Sequence, residues 1–176
     1  MKILLLLLIY IPILVTSCKK STPVTPESSI SADVDGIKET FNTNATAVAS
    51  VSNLLGTGNV HILIISGKET SDSGSDIINV IVTSASAITK GTYPVMTGVP
   101  PAYSATSVSF IQGYETFFPT QNVTLQNLIT ITSISSTNVQ GTFEVALSGA
   151  VASTSPVYTN KIITNGSFNV SIKPAN

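Results

Sequence analysis

Two-residue alternation runs through the clearest patterned stretches of this chain, and it admits few folds. In VQGTFEVAL, Val139, Gly141, Phe143, Val145 and Leu147 fall on one side, with Gln140, Thr142 and Glu144 on the other. GSFNVSIK repeats the arrangement. Phe168, Val170 and Ile172 face inward; Ser167, Asn169, Ser171 and Lys173 face outward. A period of two with one apolar side marks a half-buried strand of an antiparallel sheet. NVHILIIS differs: Val60, Ile62 and Ile64 lie on one side, Leu63 and Ile65 on the other. A strand apolar on both sides is central or covered at both faces, and DIINVIVTS (Asp76 to Ser84) is a similar case.

Composition agrees with strands. Polar positions are mostly Ser and Thr rather than Glu, Lys, Gln or Arg, and apolar positions favour Val and Ile. Such residues suit a pleated surface and form helices poorly. Turn signals separate the runs at Asp35-Gly36, Gly56 to Asn59, Ser73-Gly74, Lys90-Gly91, Thr137-Asn138 and Asn165-Gly166. Asp-Gly and Asn-Gly suit hairpins whose twist matches the strands. Strands are expected near 30–34, 37–41, 45–51, 59–66, 76–84, 91–96, 103–111, 127–135 and 139–148, then 158–164 with 167–172. Regularly spaced short strands predict an all-β fold, an antiparallel β-sandwich of about nine to ten strands in a single domain over residues 30–176. A short helix is expected near Phe117 to Asn127.

The N-terminus reads differently. Met1-Lys2 precedes Ile3 to Val15, an uncharged apolar run. A bilayer-spanning helix needs about 20 such residues. A shorter run after a basic start has the order of a secretory signal, here residues 1–17. Val15-Thr16-Ser17-Cys18 resembles the bacterial lipobox, an aliphatic residue and two small ones before cysteine. That resemblance implies diacylglycerol on the Cys18 thiol, cleavage before Cys18, and acylation of the new amine, commonly by palmitate. Cys18 is the only cysteine, so no intramolecular disulfide is open to it. Two or more acyl chains anchor a protein stably. Residues 18–29 are rich in Lys, Ser, Thr and Pro, too polar to bury surface, and read as a disordered tether stiffened by Pro23 and Pro26.

A wider likeness covers most of the remaining chain. GTYPV (91–95), AYS (102–104), ITITSISSTNVQGTFEV (129–145) and ITNGSFNV (163–170) follow an Ala-x-Val-Asp-Gly hairpin at Ala32 to Gly36. In this order they resemble a group of Bacteroidetes lipoproteins carrying a small all-β domain of unknown function. The resemblance implies a fold class and an outer-membrane location, facing the periplasm or the outside. Cys18 is followed by Lys19-Lys20, without the aspartate that marks inner-membrane retention in enteric bacteria. The resemblance implies no catalytic residues. Gly91, Gly141 and Gly166 are expected where the chain turns, bulges or packs closely, and Tyr93, Phe143 and Phe168 as core aromatics.

Few residues stand out chemically. His61 is the single histidine; without a second histidine or a further cysteine it makes a poor zinc site and reads as a strand histidine. Glu69, Asp72 and Asp76 in ETSDSGSD lack the closing bidentate glutamate of an EF-hand and read as a solvated hairpin tip. No nucleophile elbow or phosphate-cradling glycine loop is present, so no enzymatic activity, metal or cofactor is expected. The chain has no arginine and a net charge of −1, which provides no cationic track for nucleic acid. The aromatic stretch QGYETFFPTQN offers Tyr114, Phe117 and Phe118 for stacking on a glycan or anchoring an envelope protein; alternatively the two phenylalanines cap the core. The expected function is an accessory binding or envelope-structural module held to the membrane by its lipid anchor. The alternative is a subunit of a surface appendage or adhesin that assembles by strand addition.

Overall fold

The structure, a computed structural model, describes residues 27–53, 58–96, 106–120, 125–150 and 158–174. The signal segment, Cys18 and most of the tether lie outside these residues. So do AYS and parts of the turn at Gly56-Thr57. The described residues form eleven strands and no helix: β1 (Ser29–Val34), β2 (Ile37–Thr40), β3 (Thr43–Asn53), β4 (Asn59–Lys68), β5 (Ile77–Ser84), β6 (Gly91–Pro94), β7 (Ser107–Gln112), β8 (Glu115–Pro119), β9 (Leu128–Ile134), β10 (Asn138–Ala150) and β11 (Tyr158–Pro174).

All strands belong to one sheet, in the order β2-β1-β11-β3-β4-β5-β7-β8-β10-β9-β6, and β10 also pairs with β11. That extra pairing closes a ring through β3, β4, β5, β7, β8, β10 and β11. Every pairing is antiparallel except β11 with β3. The two long strands are shared. β10 pairs with β9 along Val139–Glu144 and with β8 along Leu147–Gly149. β11 pairs with β1 along Ile163–Asn169 and with β3 along Ile172–Pro174. One layer is therefore β2-β1-β11-β10-β9-β6, the other β3-β4-β5-β7-β8. They face each other as a sandwich stitched at both sides.

A single buried cluster fills the interior, drawn from both layers. In β4, Leu63 and Ile65 point inward, fully buried. In β5, Ile78, Val80 and Val82 do the same. Phe41, Phe110 and Phe117 form an aromatic chain with centroid spacings of 6.1 and 6.0 Å. A second pair, Phe143 and Phe168, stacks at 6.4 Å with 23° between planes. Each ring of this pair lies over a glycine of the neighbouring strand, since Gly141 pairs with Phe168 and Gly166 with Phe143. A Cβ at Gly141 would overlap the Phe168 ring and the Thr130 carbonyl, and one at Gly166 would overlap Phe143. These glycines are packing sites, as the sequence reading holds.

Two local expectations change. Phe117 to Pro119 form strand, not helix. Gln112 pairs with Glu115 across Gly113-Tyr114. Glycine at φ 61° in the first loop position fits the two-residue hairpin turn that requires it. Asn165-Gly166 is not a turn between two strands. β11 runs through it as one strand of 17 residues. Asn165 adopts φ 50°, and the register slips by one residue against both β1 and β10. The left-handed conformation that suits Asn in a hairpin turn also suits a β-bulge. Asp35-Gly36 is the expected tight hairpin, with φ of 52° and 83°.

The two ends of the sandwich are distinct. Ser29, Asn53, Asn59, Ile134, Asn138 and Pro174 lie at the end where the chain enters. The opposite end carries the Asp35-Gly36 and Gly113-Tyr114 turns and the loop from Glu69 to Asp76.

Candidate functional site

The three aromatics singled out in the sequence do not share a surface. Tyr114 sits at the hairpin tip, 107% exposed, whereas Phe117 is 1% exposed in the core. The Lys161 ammonium lies 6.0 Å from the Phe117 ring centroid and pairs with Asp35 at 3.1 Å. Phe118 is half-buried on the opposite side of β8, paired with Ser148. Adjacent strand residues must face opposite ways, so no conformation of β8 aims both phenylalanines at one ligand.

His61 lies on β4 between Val51 and Ser84 and lines an open apolar cleft described below. The acidic loop joins β4 to β5 and is held by its own backbone. The Glu69 N–H donates to the Asp76 carbonyl at 2.9 Å, and the Thr70 N–H to Ser75 Oγ at 2.7 Å. Asp76 accepts from Gln112 Nε2 at 2.9 Å. Among the described residues no group of three or more His, Cys, Asp or Glu side chains is placed to hold a metal. Glu39, on β2 at the same end, has a carboxyl raised above its ordinary range. Burial is the largest cause, followed by Asp76 and Glu69, while Lys161 acts the other way. Its Oε2 is buried without a hydrogen-bond partner.

The register assembles a site that no single segment reveals. Thr40 pairs with Ser31, Ser31 with Ser167, Ser167 with Thr142, Thr142 with Thr130, and Thr130 with Thr92. Directly paired residues share a face. A hydroxyl side chain therefore occupies the same row on every strand of the β2-β1-β11-β10-β9-β6 layer. None of the six is buried. With strands about 4.8 Å apart the row spans about 24 Å. Neighbours bond laterally: Ser31 Oγ and Ser167 Oγ lie 3.0 Å apart, and Thr92 Oγ1 and Thr130 Oγ1 3.2 Å. Asn169 and Gln140 continue the polar face below, paired with each other and with Ser29 and Ser133.

A depression of about 420 Å³ lies over the middle of the row, bordered by Thr130, Thr142 and Ser167 and, above them, Leu128, Glu144 and Asn165. The β11 bulge helps to shape it. The extra residue places Asn165 at its rim, where the side-chain amide donates to Asp33 Oδ2 at 2.7 Å. Hydroxyls both donate and accept, and an amide does each with different atoms. The surface thus offers mixed, mostly uncharged hydrogen bonding beside a small apolar floor, an arrangement suited to a polyhydroxylated ligand.

Sequence reasoning missed this row because each hydroxyl, taken alone, is an ordinary outward residue. One signal was present. Gly91-Thr92-Tyr93, Gly141-Thr142-Phe143 and Gly166-Ser167-Phe168 repeat glycine, hydroxyl, aromatic, and all three hydroxyls fall on the row. Comparison with known proteins found no matching family model, curated protein or solved structure.

Proposed function

We propose that this protein is a lipid-anchored accessory binding module of the bacterial outer membrane, attached through Cys18, and that its hydroxyl-bearing sheet face holds a glycan. The anchor reading stands on Val15-Thr16-Ser17-Cys18-Lys19-Lys20 after an apolar run. The binding reading stands on one observation, the row of six paired hydroxyl residues across the depression at Asn165. Neutral sugars present many hydroxyls and little charge, and a surface of the same chemistry exchanges hydrogen bonds with them along its length. This site takes the place of the aromatic cluster as the glycan-binding candidate.

Strand addition, the alternative, needs a free edge. The two edge strands, β2 and β6, are four residues each and carry Lys38 and Pro94. Short edges with lysine or proline resist pairing with another chain, which favours the binding module.

Two measurements test the proposal. Cells grown with labelled palmitate should label the wild-type chain and not Cys18→Ala; label retained in the variant removes the anchor reading. On a glycan array, the triple variant Thr130→Val, Thr142→Val, Ser167→Ala should lose the signal of the wild-type chain while its melting temperature stays within a few degrees. Equal binding by the variant, or no binding by the wild type, refutes the glycan face.

A further inference from the structure

The end of the sandwich where the chain enters differs from the rest of the surface. Glu27 and Ser28 lead into β1 here, and the Ser171 N–H donates to Ser28 Oγ at 3.1 Å, pinning the entering chain beside the end of β11. Next to it opens a cleft of about 500 Å³, lined mainly by Ala49, Val51, His61, Leu63, Ile88 and Ile134. Val51 on its rim is 58% exposed. These residues continue the inward face of β3 and β4 past the point where the opposite layer covers it.

The acids are divided along the same axis, and Lys38, Lys68 and Lys161 lie with most of them at the far end. On the hydroxyl-bearing layer, Asp33, Asp35, Glu39 and Glu144 all lie beyond the hydroxyl row. Glu69, Asp72, Asp76 and Glu115 lie at the far hairpins. Glu27, in the entering chain itself, is the one acid at the near end among the described residues. Two exposed lysines stand there: Lys173 pairs with Val48, and Lys90 precedes Gly91, which pairs with Ile131. The sequence adds Lys19 and Lys20 to the segment leading in.

The position of the chain before Glu27 completes the argument. Residues 16–26 separate the apolar run from the first described residue. Eleven residues reach at most about 40 Å. Whatever holds the N-terminal part in a membrane, acyl chains on Cys18 or the run itself, keeps this end of the domain close to lipid.

We infer that the entry end is a lipid-contacting face, seated on an anionic phospholipid surface with Val51 and the cleft rim at headgroup level and Lys90 and Lys173 beside the phosphates. The strands then stand up from the membrane. Ser167 lies seven residues before Pro174 on β11, so the middle of the hydroxyl row stands about 20 Å above the surface, and its Thr92 end, two residues from Lys90, lies nearer to it. The inference rests on membrane attachment and not on the identity of the ligand.

The test uses the full chain, processed in a bacterial host and reconstituted into vesicles of phosphatidylcholine and phosphatidylglycerol. Val51→Cys and Tyr114→Cys each receive an environment-sensitive fluorophore; any signal from a free Cys18 thiol is common to both. The label at position 51 should shift to the blue and be quenched by lipids bearing a nitroxide near the headgroup, and the label at 114 should do neither. Lys90→Glu with Lys173→Glu should lower the docked-to-free ratio at position 51 at least about fivefold for each lysine. Equal quenching at the two positions, or a chain that does not float with the vesicles, overturns the inference. Palmitate at Cys18 is scored separately. Its absence with quenching retained removes the lipoprotein reading and leaves the docking face standing.

Discussion

Replacing Gly141 by alanine adds one methyl group to a strand that has no room for it. The new Cβ would meet the Phe168 Cζ and Cε2 atoms and the Thr130 carbonyl oxygen. The ring is a side chain and can move; the carbonyl belongs to the β9 backbone, which pairs with β10 through Thr130 and Thr142. Overpacking of this kind costs about 1–3 kcal/mol, and a backbone obstacle places Gly141→Ala near about 3. Phe168→Leu removes the outer ring carbons that obstruct the methyl group while keeping the inner ones. At about 0.8 kcal/mol per buried carbon, losing three costs about 2 kcal/mol. Were the two changes independent, the double variant would lose about 5 kcal/mol. Because the second removes part of the obstacle created by the first, the double variant should lose about 3–4, a coupling of about 1–2 kcal/mol. Urea unfolding of the four proteins, with the slope checked for constancy, measures all three values. Additivity within about 0.5 kcal/mol, or a Gly141→Ala loss below about 0.5, would refute the claim that the glycine exists to admit the ring.

Other perturbations follow from the same contacts. Asn127 has φ 49°, donates from Nδ2 to the Thr120 carbonyl at 2.7 Å and accepts the Ala146 N–H at 2.8 Å. Asn127→Ala should cost about 2–3 kcal/mol in denaturant unfolding, because it leaves a buried N–H unpaired; a loss below about 1 would contradict that. Glu39 has a raised folded pKa, so its protonated form favours the fold, and that contribution is present below the ordinary carboxylate range and lost as pH rises. Glu39→Gln should therefore raise the melting temperature at pH 7 relative to wild type, with the gain shrinking as pH falls through the raised folded pKa and gone below about 4; a gain that does not vary with pH points to another cause. Asn165→Gly keeps the left-handed bulge and should lie within about 0.5 kcal/mol of wild type, whereas Asn165→Val should cost about 1–2 kcal/mol or more. Equal melting temperatures for the two would show that the bulge does not depend on that conformation.

Much of the fold was legible because each long strand declares its buried side. Alternation in β10 and β11 places Phe143, Val145, Phe168 and Val170 inward, and they are buried. The two-sided apolar pattern marked β4 and β5 as central, and they occupy the middle of their layer. What was not legible depends on pairing. Asn165-Gly166 satisfies a turn and a bulge equally well, and only the ladder between Ala150 and Tyr158 at the top of β10 and β11 decides for the bulge. The hydroxyl row exists only once bulges in β9 and β11 have set the register. In the aromatic stretch a helix was expected from Phe117 onward; the strand that forms there sends Phe117 and Phe118 to opposite sides, and only the pairing of Gln112 with Glu115 puts Tyr114 at a turn.

The ring of strands closes only through β11, which alone joins β1, β3 and β10, and β11 is the last of the described strands. Hairpins such as β3–β4, β4–β5 and β7–β8 pair neighbours in sequence and can form as the chain appears. The core cannot be sealed until Tyr158–Pro174 arrives, because Ile163, Phe168 and Val170 belong to it. Contacts so distant in sequence slow folding. A chain released from its N-terminus onward therefore stays open along one seam until β11 is free. Any factor that holds back β11 keeps the domain unsealed, and release of Tyr158–Pro174 becomes the step that commits it to fold.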